Sequence, residues 1–165
     1  MAARLLDDEI IARILGTLSP LAQRATAEAS SHALARGEAL SGMPLLVFAL
    51  ITGLQRPAGA YELIDTIARL VSRPVRPPTV YRAIDQLIAH RLVARLSSRN
   101  AFVTCAHPGH SHDCVLLVCD RCGRTAEVED TRLDRLILED ARKAGFEPRH
   151  RTLEVEGTCK TCREA

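Results

Sequence analysis

Two C-x-x-C pairs constrain this chain more than any other feature. Cys119 and Cys122 form the first, in CDRCG, and Cys159 and Cys162 the second, in CKTC, with 36 residues between them. Four thiolates at about 2.3 Å satisfy a tetrahedral zinc, and each pair supplies a knuckle that folds a turn around the metal. The first knuckle sits between two strand-like runs, with Gly123 freeing the backbone to turn. The second lies near the C-terminus, where a metal would pin an end that otherwise frays. A structural zinc contributes roughly 10–16 kcal/mol of apparent binding energy to folding, which a small domain with a thin core needs. A rubredoxin-like iron site and a redox dithiol are the competing readings. A thioredoxin-type pair would begin a helix after a strand, and CDRCG does not.

Composition sets the surroundings of that site. The chain has 165 residues, is 47% hydrophobic, and holds no Trp, two Tyr and three Phe, so its core must be aliphatic. That length allows one domain or two small ones. The start, MAARLLDDEIIARIL, has acids where a secretion signal wants bases. No run approaches the length of a membrane span. A cytoplasmic protein is therefore expected, in which paired cysteines bind metal or do redox work rather than form disulfides. Net charge is only +2, but seven arginines (Arg69, Arg73, Arg76, Arg82, Arg91, Arg95 and Arg99) face a single acid, Asp85, across residues 69–99. From Cys105 onward acids outnumber bases, twelve to ten. A basic block on a balanced chain is either a solvated face or a phosphate-binding one.

Periodicity orders the elements. Residues 4–36 read as one or two helices broken near Ser19-Pro20. PLLVFALITGL (44–54) is uniformly apolar and reads as a buried helix. QRPAG (55–59) reads as a turn, and Leu63, Ile64, Ile67 and Leu70 give 60–72 a helical stripe. Pro74, Pro77 and Pro78 should stop that helix. Thr79 should cap the next one, with Val80, Ile84, Leu87 and Ile88 inward. VARLSSRNAFVTC (93–105) is two alternating runs around a polar tetrad, a β-hairpin. Three helices and a hairpin make a winged helix-turn-helix, whose last helix enters the major groove while Arg95 and Arg99 reach phosphates from the wing. After a polar hinge come strands at 115–119 and 123–129, an amphipathic helix over 131–144 closed by Gly145, and a strand at 150–156. The fold class is α+β, with three parts: a DNA-binding domain with an N-terminal helical extension (1–104), a metal-binding hinge (105–114), and a small α/β domain (115–165), to which the family resemblance given below assigns dimerisation.

The hinge concentrates potential ligands. Cys105, His107, His110, His112, Asp113 and Cys114 fall within ten residues, with Glu127 one strand on. The bland reading is a polar linker that happens to contain histidine. A mixed N/S/O set also suits zinc. A metal there would favour one of two arrangements of its flanking domains.

From about Leu40 to Cys162 the chain resembles the ferric uptake regulator (Fur) family, most closely its zinc-sensing branch, Zur. The resemblance rests on AYELID (60–65), RPPTVYRAIDQLI (76–88), NAFVTC (100–105), CDRCG (119–123), GF..RH (145–150) and GTCKTC (157–162). It implies a homodimeric, zinc-dependent repressor on AT-rich palindromic operators of zinc-uptake genes. Its partners would be double-stranded DNA and a second copy, with no catalysis, membrane or small-molecule substrate. It assigns structural zinc to Cys119, Cys122, Cys159 and Cys162. It assigns the sensing zinc to Cys105, His112 and Glu127, the thiolate at Cys105 accompanying zinc sensing. Tyr61 and Arg82 match DNA-contacting positions, with Thr79 and Tyr81 on the same recognition helix. His110, Asp134 and His150 match the neighbourhood of a second regulatory site in some members. Three departures stand out. Where the family's zinc sensors carry the fourth sensing histidine, this chain has Ala94, leaving His107, His110, Cys114 or His90 as substitutes. The L-T-x-x-R before the second helix reads LSGMP. The N-terminal extension is longer than the family needs. A sibling regulator sensing iron, manganese or peroxide is the second reading. A C-x-x-C redox or rubredoxin-like protein is the third, and leaves the arginine block unexplained.

Overall fold

The computed structural model describes residues 8–105, 115–148 and 153–164. The chain divides into two compact units, residues 1–110 and 111–165.

In the first unit, helices α1 (Asp8–Thr17) and α2 (Pro20–Ala35) form the N-terminal extension. Asp8 and Glu9 lie in the first turn of α1, where acids complement the helix dipole. The break expected at Ser19-Pro20 is a helix start: the Ser19 hydroxyl accepts from the Ala22 amide at 3.3 Å, and Pro20 opens the first turn. Ile11, Ile14, Ala29 and Ala33 join the same core as the helices that follow. Helix α3 (Met43–Leu54) buries Leu46, Val47, Phe48, Ala49 and Ile51. Its N-cap, Gly42, has a φ of +64°, a left-handed conformation that favours glycine; a Cβ there would meet the Asp8 carboxylate at 2.8 Å, a contact the Asp8 side chain can relieve by turning away.

Helix α4 (Ala60–Leu70) and helix α5 (Pro77–Ala89) present Leu63, Ile67, Val80, Ile84 and Leu87 to that core. Helix α5 begins two residues before the expected Thr79. Arg76 is its N-cap, and Pro77 and Pro78 occupy the first turn, where a missing N–H costs nothing and a fixed φ suits the helix. Thr79 is thus inside the helix, not its cap. The hairpin is β2 (Val93–Leu96) and β3 (Ala101–Thr104), antiparallel, with residues 97–100 turning between them. A third strand, β1 (Ala58–Gly59), pairs with β3 through Ala58↔Phe102, where the sequence suggested only a turn.

The second unit is a three-stranded sheet ordered β5-β4-β6, with helix α6 (Thr131–Lys143) and a short helix α7 (Lys160–Arg163). The central strand β4 (Val115–Cys119) is antiparallel to β5 (Thr125–Val128) and parallel to β6 (Leu153–Gly157). Helix α6 ends as expected: Gly145 has a φ of +79°, and the Gly145 and Phe146 amides donate to Arg142 and Ala141. None of α6 is buried.

Candidate metal centre and nucleic-acid interface

The sheet itself brings the cysteine pairs together. β4 and β6 run parallel with Cys119 opposite Gly157, so both chains leave the sheet at the same edge. The first knuckle then turns tightly. Gly123, at a φ of +73°, donates its amide to the Cys119 carbonyl at 3.0 Å, and the Cys119 amide donates to Arg124 at 2.8 Å. The second knuckle starts at Cys159, the N-cap of α7, and places Cys162 one turn on. The four sulfurs lie within 4.8 Å of one another, and Cys122 Sγ is 3.8 Å from Cys159 Sγ. Zinc–sulfur bonds of about 2.3 Å in a tetrahedron put sulfurs about 3.8 Å apart, so the four side chains fit that metal.

Hydrogen bonds tie the knuckles to each other. Asp120 donates its amide to the Gly157 carbonyl at 2.9 Å and accepts from the Thr158 hydroxyl at 3.2 Å. Arg121 donates to the Cys162 carbonyl at 2.8 Å, and Arg124 to the Thr161 hydroxyl at 3.3 Å. These partners flank the cysteines in the sequence, but their roles depend on strand order, which the sequence does not display. Amide hydrogen bonds from Cys122 and Cys159 hold the Cys119 thiol down to about 6. The opposite holds at Cys162, whose thiol is pushed up to about 12 by hydrogen bonding to Cys122 and Cys159. Four sulfurs this close do not all lose their protons together unless a cation sits among them.

The other candidate ligands are placed less completely. Cys105 is half-buried at the end of β3, its amide donating to the Leu92 carbonyl at 2.9 Å. Glu127 is half-buried on β5, and Asp134 half-buried on α6. His107, His110, His112, Cys114 and His150 lie outside the described residues. Ala94 sits on β2 opposite Val103. His90 is only 4% exposed, and its Nε2 lies 2.9 Å from the Glu38 carboxylate, a pairing that no local pattern signals.

On the nucleic-acid side, Tyr81 and Arg82 are exposed on α5, and Thr79 is half-buried in its first turn. Tyr61 is 70% exposed at the start of α4. Arg95 and Arg99 are exposed on the hairpin, and Arg95 donates to the Asn100 amide oxygen at 3.2 Å. The inward faces of α4 and α5 carry the core, and their outward faces carry the polar and aromatic groups.

Residues 60–156 match the ferric uptake regulator family. The chain is 32% identical to the zinc uptake regulation protein of Escherichia coli strain K12 over 143 residues, covering 86% of this chain and 83% of that one. It superposes on a zinc uptake regulator complexed with zinc and DNA with a TM-score of 0.81, at 30% identity over 88% of this chain and 97% of that one. The holo form of XcZur gives 0.78, at 38% identity over 85% and 97%.

Proposed function

The chain belongs to the ferric uptake regulator family, and on that premise we propose that it is a zinc-responsive, DNA-binding transcriptional repressor of zinc-uptake genes that works as a homodimer. The observation that carries this reading is the joining, on one chain, of a winged helix and a four-sulfur cluster of zinc dimensions. The likeness to a zinc- and DNA-bound regulator spans both.

The residues divide the work. Cys119, Cys122, Cys159 and Cys162 hold a structural zinc, whose charge lets four thiolates share one small volume. Cys105, His112 and Glu127 bind the sensing zinc, with a fourth ligand from His107, His110 or Cys114 in place of the histidine absent at Ala94. His90 is the weakest substitute, because its Nε2 is already engaged by Glu38. Asp134, with His110 and His150, is the candidate second regulatory site. Recognition helix α5 enters the major groove. There Arg82 pairs with a guanine edge or a phosphate, flanked by Thr79 and Tyr81, while Tyr61, Arg95 and Arg99 contact the backbone. Bound zinc favours the arrangement in which two such helices match successive major grooves of a palindromic operator.

Dimerisation has a matching surface. Leu133 and Leu136 on α6 are exposed, as are Leu117 and Val155 on the sheet. A second copy covering such faces would remove apolar surface that a single chain leaves in water. No helix among the described residues is long and apolar enough to cross a membrane. A family of transcription regulators implies a DNA-binding rather than an enzymatic role, exercised in the cytoplasm.

The test is a zinc titration against a labelled AT-rich palindromic duplex at fixed salt, from protein carrying only its tightly held metal. Iron(II) and manganese(II) run in parallel. Zinc alone should tighten binding by about tenfold or more, the scale of coupled sites. Metal-blind binding, or a response to iron or manganese instead, contradicts the zinc-sensing assignment.

A further inference from the structure

His90 is one of two buried polar side chains among the described residues, and it caps the recognition helix. The cap is a Schellman turn. The Arg91 amide donates to Ile88 at 2.9 Å and the Leu92 amide to Leu87 at 3.0 Å, with Arg91 at a φ of +58°. Leu87 and Leu92 are both fully buried, the apolar contact that accompanies such turns. His90 therefore has little freedom, and its ring points to a single acid. Nε2 lies 2.9 Å from Glu38 Oε2, an ion pair whenever the imidazole is protonated.

The backbone of Glu38 is held from its own side. Helix α2 ends in the same kind of turn: Gly37, at a φ of +78°, donates to Leu34 at 2.9 Å, and the Glu38 amide donates to Ala33 at 3.1 Å. Ala33 is fully buried in the core. The His90–Glu38 pair thus joins the closing turn of α2 to the closing turn of α5. It also adjoins the strand carrying Cys105, since Leu92, two residues past His90, accepts the Cys105 amide.

A helix the length of α5 is about 20 Å long, so a small tilt at its C-terminal end displaces the side chains near its start. Arg82 and Tyr81 lie in that leading half. Removing Glu38 leaves the buried imidazole without this polar partner, which the structure relieves by moving the helix end or admitting water. We propose that Glu38 and His90 are a positioning pair, which lets the N-terminal extension set the operator affinity of α5 without touching DNA. This gives the extension a role, and it rests on the DNA-binding reading above.

The experiment uses the full-length, zinc-loaded protein with Glu38→Ala, Glu38→Gln and, as a contact-removing control, Arg82→Ala. Glu38 is 66% exposed, so its replacement creates no cavity. Affinity for the AT-rich palindromic duplex is measured across a salt series, with folding checked by circular dichroism and zinc content assayed. Glu38→Ala should weaken binding by about fivefold or more with the wild-type salt slope. Glu38→Gln, which keeps an acceptor, should bind within about twofold of wild type. Arg82→Ala should lower the salt slope by about one. Loss of an anion acting only through its charge would instead tighten binding. Tighter or unchanged binding by Glu38→Ala, a changed salt slope, or failure of glutamine to restore affinity overturns the proposal. Hydrogen exchange on the same variants reads the pair without DNA. Glu38→Ala should speed exchange in the last turn of α5 and leave the middle of α3 unchanged, and no change in α5 also overturns it. If wild type binds no duplex, the DNA-binding reading fails, and hydrogen exchange still decides whether the pair holds the helix.

Discussion

In residues 8–105, five helices and a small sheet converge on Ile11, Leu46, Ile51, Leu63, Ile67, Ile84 and Leu87, each almost wholly excluded from water. Among the described residues from 115 onward, only Val115, Leu116, Val118 and Cys119 are buried, and all four belong to strand β4. The first unit encloses its own core. The second has one covered strand, a helix with no buried residue, and four cysteines gathered where the sheet ends. Apolar burial stabilises at about 25 cal/mol per Å², so a unit that buries so little depends on something beyond its own side chains. A metal on the four cysteines would tie its two segments together, and a second copy, as proposed above, would cover the faces of α6 and the sheet.

Substitutions in each unit test this contrast, and the largest effect belongs to the metal. Cys159→Ser should abolish stoichiometric zinc retention and cost the second unit its sheet and its self-association. The first unit should keep its helical signal, as read by metal analysis, size-exclusion chromatography and circular dichroism. Next comes a cavity in the first unit. Ile84→Ala should cost about 2–5 kcal/mol in the unfolding of that unit, with zinc content unchanged. Backbone strain comes third. Helix α4 closes with Ser72 at a φ of +51°, its amide donating to Arg69 at 3.3 Å, in the role that Gly145 plays after α6. Ser72→Gly should therefore stabilise the first unit by about 1 kcal/mol, and Gly145→Ala should destabilise the second by a similar amount in thermal melts.

The smallest effect concerns the start of α6. The Asp130 carboxylate accepts from the Arg132 amide at 2.8 Å and pairs with its guanidinium at 2.9 Å. The Arg132 side chain holds Asp130 down to about 2, below its ordinary carboxylate range. Its folded value lies below its unfolded one, so its contribution is complete above about pH 4. It is lost as pH falls toward 2. Acid titration of α6, followed by residue-resolved NMR, should show a step in that window that Asp130→Ala removes.

The sequence announced what depends on local pattern. Ser97-Ser98-Arg99-Asn100 marked the turn of the wing, and Gly145 marked the end of α6, because turn chemistry is written in a few adjacent residues. The cysteine spacing marked a metal site before any strand was placed. The start of α5 was misjudged because Pro77 and Pro78 serve equally as stop signals and as first-turn residues, and only the packing of Val80 and Ile84 decides between them. Strand β1 has two residues, too few for any periodicity. Ser72 and Arg91 take left-handed conformations that nothing in their side chains requests; the helix ends impose them. The Glu38–His90 pair joins residues far apart in the chain, so no local pattern points to it.

The most direct test of the contrast is hydrogen exchange on the full-length protein before and after a strong chelator removes its metal. Residues 115–119, 125–128 and 153–157 should lose protection while α3 and α5 keep theirs. Equal loss in both units, or none in either, would contradict it.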